Sequence, residues 1–140
     1  MKKLVFSKKE KSFVESQRVM RFNSLTPGGR IHSVPICYSF DGANLYAHAR
    51  NKKTKRWRNI KKDGTASVEI DSYSDNWSLL KGVLIYVKPT FVDAGPEQKK
   101  ALSLLRGKYA QYRKMLGDTT PVVKMEPERV VSWGLGRKTR

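Results

Sequence analysis

Residues 31–49, IHSVPICYSFDGANLYAHA, constrain the fold more than any other stretch. From Val34 on, apolar side chains recur at every second position through Ile36, Tyr38 and Phe40, the period of a strand with one buried face. DGAN (41–44) is a tight hairpin signal, and LYAHA (45–49) returns as a second strand. Pro35 has no N–H to give to a ladder, so its strand is bulged or lies at an edge there.

The rest of the chain repeats this grammar. Residues 8–17 read as a short helix, 18–25 as a strand, and TPGGR (26–30) as a turn in which Gly28 and Gly29 permit positive φ. Trp57 and Ile60, three apart, mark one face of a short helix over 53–62, and Asp63-Gly64 stops it. Ala66, Val68 and Ile70 alternate as a strand over 65–73; 74–81 is a loop or single turn that Asp75 could cap. Residues 82–94 read as a long strand, broken near Pro89. GPEQKKALSLLRGKYAQY (95–112) is the clearest helix, with Pro96 in its first turn and a stripe of Ala101, Leu104, Leu105 and Tyr109. One or two strands follow over 118–134, then a frayed basic tail, 135–140. Six or seven short antiparallel strands on one 140-residue domain predict a mainly β barrel with peripheral helices.

Composition limits the function. Apolar residues are 39% of the chain, enough for a real core, and the formal net charge is +17. Such a charge calls for an anionic partner. Cys37 is the single cysteine, so no intrachain disulfide forms. The apolar start Leu4-Val5-Phe6 is too short for a signal-peptide core, and VLIYV (83–87) is too short for a membrane helix, so a soluble cytoplasmic protein is expected. Two histidines, His32 and His48, and one cysteine make no metal-ligand pattern, and no CxxC, HExxH, P-loop or GxGxxG occurs. If the chain is an enzyme, a bound cofactor carries the chemistry.

Residues 51–62, NKKTKRWRNIKK, hold seven Lys or Arg and no acid. Three readings compete: a solvated helix face, a nucleic-acid contact, or a phosphate site. Against nucleic acid, the strands carry no aromatic pair for base stacking and no helix-turn-helix signal is present. For a phosphate, the run starts at a strand exit and opens a helix, which puts N–H groups and the positive dipole end beside Lys53, Thr54 and Lys55.

GGRIHSVPICYSFDGANLYAHA, then KTKRWRNIKKDGTASVEIDSYSDNW, and PERVVSW at 127–133 resemble, in order, the flavin-binding split β-barrel family of pyridoxamine 5'-phosphate oxidase-like proteins. The resemblance is strongest to the small branch that binds the deazaflavin coenzyme F-420. It implies a homodimer with the cofactor, FMN or the deazaflavin, in a groove between protomers. It implies that His32, Ser33, Val34 and Pro35 line the flavin ring, with Ala47, His48 and Ala49 alongside. Lys53, Thr54 and Arg56 would hold the phosphate, with Lys55 beside them. Asn59 would be either a ligand contact or a helix-to-strand hydrogen bond; Trp77 and Trp133 would be either ring-stacking residues or dimer anchors. Lys81-Gly82 departs from the apolar or aromatic residues common there, and region 50–56 is shorter than in some deazaflavin-binding relatives. The resemblance therefore implies an oxidoreductase passing hydride between a flavin-type cofactor and a small organic substrate. His32, His48 and Tyr38 are the candidate proton donors. The alternatives are a non-catalytic flavin carrier on the same fold and, more remotely, a basic nucleic-acid-binding barrel.

Overall fold

The computed structural model describes residues 4–136. Helix α1 (Lys8–Ser16) leads into β1 (Met20–Leu25), β2 (Ile31–Ile36), β3 (Ser39–Phe40) and β4 (Leu45–His48). Then come α2 (Lys55–Lys62), β5 (Ala66–Ser72), a helical turn over Trp77–Leu79, and β6 (Lys81–Val92). Helices α3 (Pro96–Lys108) and α4 (Tyr112–Met115) precede β7 (Val122–Trp133). The seven strands form one antiparallel sheet in the order β2-β1-β5-β6-β7-β4-β3, curled as a split barrel.

The run 31–40 is two strands, not one. β2 pairs with β1 at one end of the sheet, and β3 pairs with β4 at the other. Cys37 and Tyr38 join them. Three Cα steps span at most about 11 Å, so the two ends of the sheet must come together and the sheet must curl. Tyr38 fixes the join. Its hydroxyl donates to the Val14 carbonyl, and its N–H donates to the Tyr109 hydroxyl at 3.2 Å. The hairpin that follows is built as its sequence predicts: Asp41 Oδ1 accepts from the N–H groups of Ala43 (2.9 Å) and Asn44 (2.7 Å).

Each strand proline sits where a strand neighbour is missing. Pro35 lies on β2, an edge strand. Pro89 does not break its strand; it lies past the end of β5, where β6 pairs only with β7. Pro127 lies past the end of β4, next to a register shift at which Glu128 is the extra residue. The shift matters for packing. Before it the odd positions Val123 and Met125 face the core; after it the even positions Val130 and Ser132 do.

The core gathers Met20, Phe22, Val68, Ile70, Val83, Ile85, Val123 and Met125 from the inner face of the sheet. Helix α2 plugs one opening with Trp57 and Ile60, and the Trp57 ring meets Phe22 edge-on, centroids 5.3 Å apart. Helix α1 starts with a capping box between Ser7 and Glu10 and is tied to β7 by Ser132 Oγ donating to Glu10 Oε2 at 2.8 Å.

Four local expectations are corrected. The helix over 95–112 ends at Lys108, because Tyr109 turns to extended backbone and its hydroxyl donates to the Arg18 carbonyl at 2.6 Å. Its buried residues are Gln98, Ala101, Leu102 and Leu105; Gln98 is held by two carbonyls, of Asp118 (2.8 Å) and Thr120 (2.9 Å). The turn at 77–79 is capped by Asn76, not Asp75. In the tail, Leu135 is buried in the core rather than frayed, and residues 137–140 lie outside the described ones. No helix among the described residues is long and apolar enough to cross a membrane.

Trp57 is the largest fully buried side chain, so Trp57→Ala should cost about 3–5 kcal/mol of folding stability, read from urea unfolding midpoints.

Candidate functional site

The site forms where the two ends of the sheet approach. β3 is only two residues long and pairs with Leu45 and Tyr46, so beyond it the same edge of Ala47 and His48 has no strand partner. The outer edge of β2 has none either. Pro35, Ile36 and Cys37 from one side and Ala47 and His48 from the other bound a cavity of about 220 Å³. Arg56 and Trp57 of α2 and Tyr112 of α4 complete its wall.

Helix α2 is aimed by three buried residues. Trp57 and Ile60 enter the core, and Asn59 Nδ2 donates to Ser24 Oγ on β1 at 3.1 Å. Asn51 shapes the approach: its Oδ1 accepts from the Lys53 N–H at 3.0 Å, and its carbonyl accepts from Thr54 Oγ1 at 3.2 Å. Thr54 occupies the N-cap position, but its hydroxyl points backward and no side chain caps the first turn. The first-turn amides and the positive dipole end thus stand without a side-chain acceptor. Arg56 adds a guanidinium whose Nε is buried and meets no hydrogen-bond partner.

His48 faces this guanidinium. Burial, then the charges of Arg56 and Arg50, holds its imidazole below the ordinary value, so it is neutral near pH 7. Its Nδ1 accepts from the Arg50 N–H at 3.2 Å, which leaves the proton on Nε2. Tyr112 meets the His48 ring edge-on at 5.3 Å. Burial and the adjacent Cys37 push the Tyr112 phenol well above its usual range.

The sequence pattern of the pyridoxamine 5'-phosphate oxidase family matches residues 6–134. The chain belongs to this family. Compared by sequence with curated proteins, it finds no match. Among solved structures it resembles a conserved hypothetical protein of Mycobacterium tuberculosis at 20% identity, TM-score 0.78, over 100% of this chain and 96% of that one. A heme-binding protein of Mycobacterium smegmatis aligns at 18% identity, TM-score 0.80, over 96% of this chain and 57% of that one. An FAD-binding protein of Mesorhizobium loti aligns at 17% identity, TM-score 0.70, over 86% of each chain. These likenesses show a shared fold.

Of the expected site residues, the single chain brings Pro35, Ala47, His48 and Arg56 together at the cavity. Lys53 and Lys55 are exposed and Thr54 half-buried at the start of α2, alongside Arg56. Ser33 is exposed on β2; His32 lies half-buried opposite Ser24 with a buried, unpartnered Nδ1. The side chains of the remaining expected residues lie outside the cavity lining. Val34 packs on the core, and Ala49 is buried with its N–H given to the Pro121 carbonyl at 2.7 Å. Asn59 is the helix-to-strand hydrogen bond. Tyr38 is no proton donor to the cavity, since its buried hydroxyl is spent on Val14. Trp77 stands 73% exposed on its turn, its Nε1 3.5 Å from the Tyr73 hydroxyl.

Trp133 explains the departure at Lys81-Gly82. A Cβ on Gly82 would lie 2.3 Å from Trp133 Cζ2, so the indole occupies the space that a side chain at this position would need. Ile36, Cys37 and Tyr112 are site residues that sequence reasoning missed. Ile36 and Cys37 directly follow the expected segment 32–35, so extending it would have found them; Tyr112 carried no local signal.

His48 is depressed relative to the unfolded chain, so the unfolded state takes up its proton first as the pH falls. Its contribution to stability is therefore complete above about pH 6.5 and is lost below it. Arg56→Gln should raise the His48 midpoint in an NMR titration; an unmoved midpoint would mean that the two groups do not face each other.

Proposed function

We propose that the chain is a homodimeric flavin-type oxidoreductase that binds FMN or the deazaflavin coenzyme F-420 at the split of the barrel and reduces a small organic acceptor. The observation that carries this reading is the buried, unpartnered Arg56 Nε at the cavity wall, next to a first helical turn that no side chain caps. These donors fit a phosphate: a guanidinium offers a two-pronged contact, and helix amides add neutral donors. Lys53, Thr54 and Lys55 would extend the same contact, and the uncovered edges of β2 and β4 would offer main-chain groups to a planar ring.

When bound, the cofactor would supply hydride at ring position 5. The protein's part would be to bind, orient and exclude water. His48, fixed as the Nε2–H tautomer, would donate a hydrogen bond to an oxygen in the cavity without giving up charge. The net charge of +17 favours the deazaflavin, whose polyglutamate tail adds anionic groups beyond the phosphate. A second copy of the chain would close the groove against the outer sheet face, where Tyr86 is 42% exposed beside half-buried Leu84 and Val131.

A non-catalytic carrier is the second reading. It is supported by the acids at the cavity: His48 is held neutral and the Tyr112 phenol is held protonated, so neither releases a proton near pH 7. The heme-binding neighbour suggests another cargo; with His48 Nδ1 accepting from the Arg50 N–H, Nε2 carries the proton and would have to give it up to bind iron.

Titration with FMN and F-420 side by side separates these possibilities. Saturable binding of either, followed by turnover of quinones, enones or nitroaromatics with the reduced form, supports the enzyme. Binding without turnover supports the carrier, and no binding overturns both. Replacing Lys53 and Arg56 together by Ala should weaken cofactor binding by roughly 2–4 kcal/mol. Unchanged affinity would remove the phosphate assignment.

A further inference from the structure

Helix α1 and the segment that follows β7 leave a groove between them. Gly134 and Gly136 both adopt positive φ, 71° and 81°, so the chain reverses around Leu135 and drives that side chain into the core. A Cβ on Gly134 would collide with the Leu80 carbonyl oxygen, so this segment lies tight against the start of β6. One cavity of the groove, about 350 Å³, is lined by Lys9, Ser12, Phe13 and Ser16 of α1, by Lys81 of β6, and by residues 134–136. A second, about 390 Å³, continues past Lys9 to Lys8 and Ser7. Neither shares a lining residue with the cavity at the seam.

The positive charge of this groove is not balanced by the chain. Among the described residues Lys8, Lys9 and Lys81 have no carboxylate within ion-pair distance. Of the two acids on α1, Glu10 is buried and accepts from the Ser7 N–H and the Ser132 hydroxyl, and Glu15 acts on Lys108 instead. The residues that precede and follow the described chain, Met-Lys-Lys at 1–3 and Arg-Lys-Thr-Arg at 137–140, bring five more cations and no acid. The N–H groups of Gly134, Leu135 and Gly136 meet no main-chain carbonyl among the described residues. Phe13 and Leu135, both buried, give the groove an apolar floor.

We propose that this groove is a second anion site, which takes small organic phosphates with an apolar body. Lys9 and Lys81 supply the charge, and the Ser12 hydroxyl and the amides of 134–136 supply neutral donors to the phosphate oxygens. The cavity is of small-molecule size, so it has room for more than the phosphate group, and the Phe13–Leu135 floor meets the remainder. The assignment stands apart from the cofactor, since none of the side chains given to it lines the groove.

The test is an amide NMR titration of the full chain, without cofactor, by phenyl phosphate, inorganic phosphate and phenol in turn. Phenyl phosphate should shift the amides of Ser12, Gly134, Leu135 and Gly136 saturably. It should bind at least about tenfold tighter than inorganic phosphate, because burial of the ring adds to the contact. Replacing Lys9 and Lys81 together by Gln should weaken it by at least about tenfold. Both lysines are exposed, and an otherwise unchanged amide spectrum checks the fold. Replacing Lys53 and Arg56 by Ala should leave the shifts at 134–136 in place. Shifts confined to the start of α2 overturn the proposal, as does affinity undiminished in the Lys9→Gln, Lys81→Gln chain. Inorganic phosphate or phenol binding as tightly as phenyl phosphate overturns the ligand class.

Discussion

Cys37 and Tyr38 tie together the two ends of a seven-stranded sheet, and this short tether governs the rest of the structure. A sheet whose first and last strands are joined by two residues has to roll up. The twist of strands makes rolling natural, but the tether decides where the seam falls. Tyr38 is the pin in that tether, since its hydroxyl and its N–H are both committed to other elements. The core of Met20, Phe22, Val68 and Ile85 is what the rolled sheet encloses.

The seam is also where the candidate site lies. At a seam, main-chain edges lack partners, and here α2 lies across it with an uncapped first turn. The helix is not free to choose that position, because Trp57, Ile60 and Asn59 are spent in the core and on Ser24. One face of the basic run thus has a structural duty, which is why Arg56 points to the cavity while Lys61 and Lys62 remain charged residues at the end of the helix. Charge alone could not have separated these roles; the buried positions between the charges do.

Much of this was legible in the residues. Period-two alternation and DG turns gave the strands, and the Trp57–Ile60 spacing gave the helix face, because both follow from local geometry. Three things were not legible. The break at Cys37-Tyr38 is invisible to alternation, which runs on through Tyr38 and Phe40 as if the strand continued; only the pairing partners differ. Tyr112 reaches the cavity because Tyr109 ends α3, and that stop depends on a bond to Arg18, far away in sequence. Its motif marks Trp133 as a ring-stacking residue or a dimer anchor, but the motif does not show that its indole lies against Gly82. In each case the missing information was a contact between distant segments.

The placement of the prolines has a consequence for how the molecule behaves among its copies. Pro35, Pro89 and Pro127 lie on stretches where a strand has no neighbour on one side. Such stretches are templates for a foreign strand, and a residue without an N–H spoils the template. A barrel with an open seam would otherwise offer that opening to misfolded copies of itself. The prolines let the barrel stay split without inviting fibrous growth.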